Sequence, residues 1–311
     1  MINSRLKCGT QGDADVGMVG FLAEIYQREV RPTKMQGRQD QLLTHVSAER
    51  LLASVESNLL QLAVVNLEQL MDYGRTHPTT SIRILGTLLG GDCRAIVSLV
   101  PECALSLPRT LGAAHPGAAR ARWEDISCAY DLECSQDRAE EVPLSQMSQA
   151  LLSGQHSLLE LNMYWEGLVG YRRGLVREAS RSCEFGIPQS FSHVLVANHE
   201  TVEGNPNLLK EFRHVLLEAY RIILSDIDLF AAQWGAAQVF ASAPKVEFLS
   251  ASARILAPHL EKFLLSGGRL DWHELQSFQK WYDTRVVPLA QAHQGGVVGF
   301  SLEQMLCDLW M

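Results

Sequence analysis

Between His193 and Asp228 the chain gathers a dense run of histidines and carboxylates. His199-Glu200-Thr201-Val202-Glu203 sets an imidazole and a carboxylate one helical turn apart, and Glu211-Phe212-Arg213-His214 has the ExxH spacing, with Glu218 one turn further on. Residues three and four apart share a face of a helix, so on a helix Glu211, His214 and Glu218 converge on one point. Carboxylate oxygen and imidazole nitrogen together suit iron or manganese. Glu211, His214, His199 and Glu203 are therefore the expected ligands of a non-haem iron centre that activates dioxygen.

The ExxH pair resembles one half of the ferritin-like di-iron oxygenase pattern, in which facing helices of a bundle each supply such a pair. The second ExxH of that pattern is absent, and Glu160, Glu166, Glu247 and Glu261 are the lone carboxylates a bundle would have to bring near. A second arrangement, haem held by one histidine between helices, would resemble the tryptophan dioxygenase class, and implies a proximal histidine, an apolar pocket and donors for the propionates. His293 is then the expected proximal ligand, following Trp281, Tyr282 and Arg285 and preceding Gly295-Gly296-Val297-Val298-Gly299, with His259 the other candidate. The glycine-threonine loop of that class is absent. Arg172, Arg173 and Arg177, followed by Arg181, are expected to bind a carboxylate or phosphate of the substrate, or the propionates. The same groups also read as ordinary surface charge, with Glu211 favourable near a helix start and His293 and the arginines favourable near helix ends. No GxSxG elbow, GxxxxGK[ST] loop or GxGxxG loop is present.

Positioning such groups falls to helices. From Ala48 to Tyr73, Leu51, Leu52, Val55, Leu59, Leu62 and Leu70 recur largely at helical spacings, which predicts a central helix closed by Gly74. Further helices are expected over 80–89, 92–99 and 119–132. Ser157-Leu158-Leu159-Glu160 reads as a capping box opening a helix to Cys183. Ser190 would cap the helix carrying His193 and His199. Asn205-Pro206 would start another, continuing to about Trp234. Ser242-Pro244 would open a helix kinked or broken near Pro258 and stopped at Gly267-Gly268, and Asp271 would cap the next. With no alternating run long enough for a strand, the expected fold is all-α, a large antiparallel helical bundle forming one domain over 1–311. Residues 101–118 would be a loop or lid, and 1–16 a poorly ordered tail.

At 47% hydrophobic and 20% charged residues the chain is globular, and its net charge of −8 disfavours nucleic acid and anionic membrane surfaces as partners. Seven cysteines without a CxxC pair read as reduced thiols, and the N-terminal residues lack the apolar core of a secretory signal, so the expected location is the cytoplasm. These observations together predict a small-molecule oxygenase or related redox enzyme using iron or haem, with a homodimer a possible assembly. The non-catalytic alternative is a helical interaction, adaptor or regulatory protein.

Overall fold

The computed structural model describes residues 8–9, 47–99, 108–189, 191, 193–236, 245–291 and 300–307. The chain forms β1 (Cys8–Gly9), α1 (Ala48–Glu56), β2 (Leu62–Val65), α2 (Leu67–Thr76), β3 (Ile82–Thr87), β4 (Arg94–Leu99) and β5 (Thr110–Ala113). There follow α3 (Pro116–Ala129), β6 (Arg138–Glu141), α4 (Met147–Ser153), β7 (Leu158–Asn162), a π-helical segment (Met163–Gly167), α5 (Leu168–Arg172), β8 (Val176–Ser180) and β9 (Val194–Asn198). The remainder is helical: α6 (His199–Gly204), α7 (Pro206–Ser225), α8 (Ile227–Ala236), α9 (Val246–Ser266), α10 (Trp272–Arg285) and α11 (Val287–Gln291). The architecture is mixed α/β, which corrects the expected all-α bundle.

Two compact units emerge, the first from Met1–Gly91, Phe191–Leu270 and Phe300–Met311, the second from Asp92–Ser190 and Asp271–Gly299. In the first, the sheet has the order β1-β2-β9-β3. β1 and β2 are parallel, while β9 runs antiparallel to both β2 and β3, pairing Leu62 with Ala197 and Ile82 with Asn198. Every residue of β2 and β9 is buried. A strand covered on both faces has no polar face to alternate with, so Leu62-Ala63-Val64-Val65 is a continuous apolar run, and periodicity cannot distinguish it from a buried helix. This is why 48–73 read as one helix; it is α1, β2 and α2 in succession. α1 packs Leu51, Leu52 and Val55 toward the sheet, contacting β2, β3 and β9. Tyr220 of α7 stacks edge-on against Phe263 of α9 at 4.7 Å and donates a 2.7 Å hydrogen bond to the Leu88 carbonyl just beyond β3.

The second unit's sheet has the order β6-β5-β7-β4-β8. β5 is parallel to β6 and β7, whereas β4 is antiparallel to β7 and β8. The expected helices over 92–99 and 157–183 are therefore β4, and β7 followed by the π segment, α5 and β8. Of the expected loop at 101–118, residues 101–107 lie outside the described set, while Thr110–Ala113 is a strand and Pro116 begins α3. Ala95, Val97 and Leu99 of β4 join Leu159 and Leu161 of β7, with Met147 and Leu151 of α4, in an apolar core.

Three of the expected helix-end signals hold, whereas the Gly74 stop and the Ser157 capping box do not. Asp271 accepts from the His273 and Glu274 amides at 2.8 and 3.3 Å, Pro206 is the first residue of α7, and Gly267 closes α9 at φ 64°. α9 runs unbroken through Pro258. No helix among the described residues is long and apolar enough to cross a membrane.

Candidate ligand-binding site

The residues expected to hold iron do not converge. α7 buries Leu209, Val215, Leu216, Ala219, Tyr220 and Ile223, which turns Glu211 and His214 to the exposed face, and Glu218 pairs with Arg221. His199 and Glu203 form an exposed pair, Nε2 to Oε1 3.1 Å, on the short α6. Among the described residues no group of three or more His, Cys, Asp or Glu is placed to hold a metal ion. The oxygenase reading is corrected accordingly: the fold has no bundle interior to enclose iron, and the ExxH spacing falls on a solvated surface. His293, the expected haem ligand, lies outside the described residues. The adaptor alternative rested on the same all-α architecture and falls with it. Arg172, Arg173 and Arg177 are exposed at the end of α5 and on β8.

What does converge is a set of buried charges in the second unit. Side chains alternate across a strand, so the face of β4 and β7 opposite the apolar core carries Arg94, Ile96, Glu160 and Asn162. The register sets Arg94 opposite Asn162 and Ile96 opposite Glu160. Arg122 of α3, 2% exposed, donates from Nε to Glu160 Oε1 at 2.8 Å, and its Nη2 stands 2.6 Å from the same oxygen as an ion-pair contact. Arg94 forks onto Asp92, Nε to Oδ1 at 2.9 Å and Nη2 to Oδ2 at 2.8 Å, and its Nη1 stands 3.6 Å from Glu160 Oε2. The Trp281 indole of α10 lies 5.9 Å from the Arg122 guanidinium, and its Nε1 donates to Asp125 at 2.9 Å, fixing the ring. Two guanidiniums and two carboxylates thus cancel in charge within one network.

The parallel strands β5 and β7 end at the same edge of this sheet, and their continuations supply more polar groups. After β5, His115 caps α3: its Nδ1 accepts from the Ala118 amide at 3.1 Å. The neutral ring then carries its proton on Nε2, which faces the Tyr282 hydroxyl at 3.2 Å. Ala114, Pro116 and Gly117 around it are partly exposed. After β7 the chain winds into the π segment, a geometry that often marks functional positions, and buries Glu166 within it. A Cβ at Gly167 would meet Met163 Sδ at 2.9 Å, so that the flexible end of the methionine packs directly on the glycine. Burial pushes the Cys93 thiol well up, helped by the Asp92 carboxylate, which keeps it protonated and a poor nucleophile.

A second cluster supports the sheet from below α3. Asp137 accepts from the Arg109 amide and Nε, both at 2.9 Å, and from Trp123 Nε1 at 2.8 Å. In the first unit, the corresponding strand ends hold Asn66, Glu68, Thr87 and His193, all buried, with the Leu67 amide donating to the Phe191 carbonyl.

Glu160 and Glu166 stand out in the sequence as lone carboxylates and Tyr282 only as a neighbour of the haem candidate, whereas Asp92, Arg94, Arg122 and His115 are not singled out there. The spacing of Asp92 and Arg94, two apart after Gly90-Gly91, was the one available signal for a strand-initiating ion pair.

No protein-family model matches the chain, and no curated protein matches it in sequence. Solved structures match its fold. The alkanesulfonate-binding protein of Xanthomonas axonopodis pv. citri, bound to MOPS, superposes with a TM-score of 0.68 at 10% identity over 97% of each chain. The zinc-bound ligand-binding component of an ABC-type import system from Staphylococcus aureus gives 0.65 at 12% identity, covering 96% of this chain and 97% of that one. The periplasmic aliphatic sulphonate-binding protein of Escherichia coli gives 0.64 at 11% over 96% of each. This chain has the α/β fold of these solute-binding proteins.

Proposed function

We propose that the chain binds a small-molecule solute, recognised at the edge of the second unit where β5 and β7 end. The observation that carries this reading is the charge-balanced network of Asp92, Arg94, Arg122 and Glu160 lying behind that edge. Buried ion pairs are weak contributors to stability, because desolvation offsets most of their attraction, so a four-charge network invites a role in recognition. In open α/β sheets, ligands favour the ends of parallel strands, where helix N-termini and loop polar groups gather. The fold shared with sulfonate-binding and zinc-binding proteins agrees with a small-molecule ligand, as an argument from analogy.

The test is a thermal-shift and calorimetric screen of the purified chain against small sulfonates, carboxylates, amines and divalent cations. A ligand at about a hundred times its Kd adds about 2.7 kcal/mol to stability and raises the melting temperature. His115→Asn keeps an N-cap acceptor but removes the Nε2–H···Tyr282 contact, and should abolish the ligand-induced shift at a modest cost to the unliganded melting temperature from the lost buried contact. Failure of every class to bind at millimolar concentration would overturn the proposal.

A further inference from the structure

We propose that the arginine-rich surface around β8 is a docking site for an acidic, extended polypeptide segment of a partner protein. β8 stands at the end of the strand order, and among the described residues it pairs with β4 alone. Tyr171, Arg172 and Arg173 at the end of α5 are exposed, and Gly174, at φ 66°, turns the chain directly into β8. In the strand, Glu178 faces Ser98 and Val176 faces Leu99, leaving Arg177 as an additional residue in a bulge. The bulge breaks the alternation, so that Arg177 and Glu178 are both exposed, and Arg181 continues the exposed series beyond the strand. Four arginines stand here against Glu178 and Glu184, and the Glu184 carboxylate accepts from the Arg181 backbone amide at 3.1 Å.

A short, bulged strand is a poor template for backbone pairing, which is how sheets protect their edges. Recognition therefore rests on the guanidiniums, whose planar forks match carboxylates two hydrogen bonds at a time. The exposed Tyr171 ring beside them adds an amphipathic surface of the kind enriched in interfaces. The charge of the whole chain chooses between anionic partners. At −8 it repels an extended anionic bilayer or a nucleic acid duplex, whereas a short acidic segment meets only the local patch within a Debye length of about 8 Å. This patch is distinct from the buried network, so it operates whether or not the solute-binding reading holds.

The experiment is fluorescence anisotropy with labelled hexaglutamate as probe, at low and at physiological salt, with hexaglutamine as the neutral control. Saturable binding to hexaglutamate is expected, weakening as salt rises. Arg173→Glu/Arg177→Glu should weaken it at least about tenfold with melting temperature and circular dichroism unchanged, while Arg50→Glu, an exposed arginine in α1, leaves it intact. Arg173→Gln/Arg177→Gln serves if the charge reversal disturbs folding, and should weaken binding in the same direction. Absence of saturable binding, equal loss in Arg50→Glu, or preferential capture of phosphatidylserine vesicles or an oligonucleotide would each overturn the proposal.

Discussion

Glu160 is the hinge of the buried network, accepting from Arg122 Nε, ion-paired with its Nη2 and standing 3.6 Å from Arg94. Glu160→Gln removes one of two negative charges facing two guanidiniums that water does not reach. Breaking a buried pair from one side costs about 3–5 kcal/mol, because the remaining ion keeps its desolvation penalty without its counter-charge. Urea unfolding of the variant should show that loss, and the double change Glu160→Leu/Arg122→Met should recover a large part of it. A single-variant loss below about 0.5 kcal/mol would mean that the charges are hydrated after all. A second residue sets an acid response. Burial works to raise the Glu56 carboxyl, but hydrogen bonds from Tyr73, the Ser81 amide and Thr80 outweigh it, holding the group below the ordinary carboxylate range. A depressed carboxylate contributes stability that is present above its unfolded pKa and lost as pH falls through its folded one. The melting temperature of the wild type should therefore fall across the acid carboxylate range, and Glu56→Gln should flatten that part of the curve without altering its shape above pH 7. Tyr73 moves the opposite way, pushed up by burial and by the bond it donates to Glu56, so its hydroxyl stays protonated and available as the donor.

Elements in this chain are decided by what covers them more than by their own propensity. α2 illustrates the point at Gly74, inside the helix, where alanine is intrinsically better by about 1 kcal/mol. A Cβ at Gly74 would stand 2.3 Å from the Phe300 ring, so the ring must move or the helix must shift. Overpacking of this kind typically costs about 1–3 kcal/mol, which exceeds the gain in propensity. Gly74→Ala should therefore lower the midpoint of chemical unfolding, and a stabilised variant would show that Phe300 yields freely. The same glycine reads in the sequence as a helix-terminating cap; the helix instead continues to Thr76, and the glycine is there for close approach. β7 shows the reverse case. Ser157-Leu158-Leu159-Glu160 satisfies a capping-box spacing, yet it is a strand, because Leu159 and Leu161 are needed by one core and Glu160 by Arg122 on the opposite face.

At the scale of the whole molecule, two sheets with their own helices replace the single bundle that helical periodicity suggested. The sequence by itself determined what local chemistry determines: the negative overall charge, the start of α7 at Pro206, the Asp271 cap of α10 and the Gly267 stop of α9. The last three depend on groups within a few residues of one another, and in these places, unlike at Gly74 and Ser157, no distant contact overrules them. Spacing on α7 was also legible, and Glu211 and His214 do share one side; what the sequence lacked was which side the core would take. The strands were not legible for the same reason. A strand's hydrogen bonds belong to a neighbour elsewhere in the chain, Leu62 with Ala197 and Arg94 with Asn162, and a fully covered strand shows no alternation to betray it. The candidate site inherits that dependence. Asp92, Arg94, Arg122, Glu160 and Tyr282 become one place only when β4 pairs with β7, α3 lies over their polar face and α10 returns beside α3. Buried charge is tolerated only where its counter-charge is brought alongside, and that juxtaposition is a property of the tertiary structure.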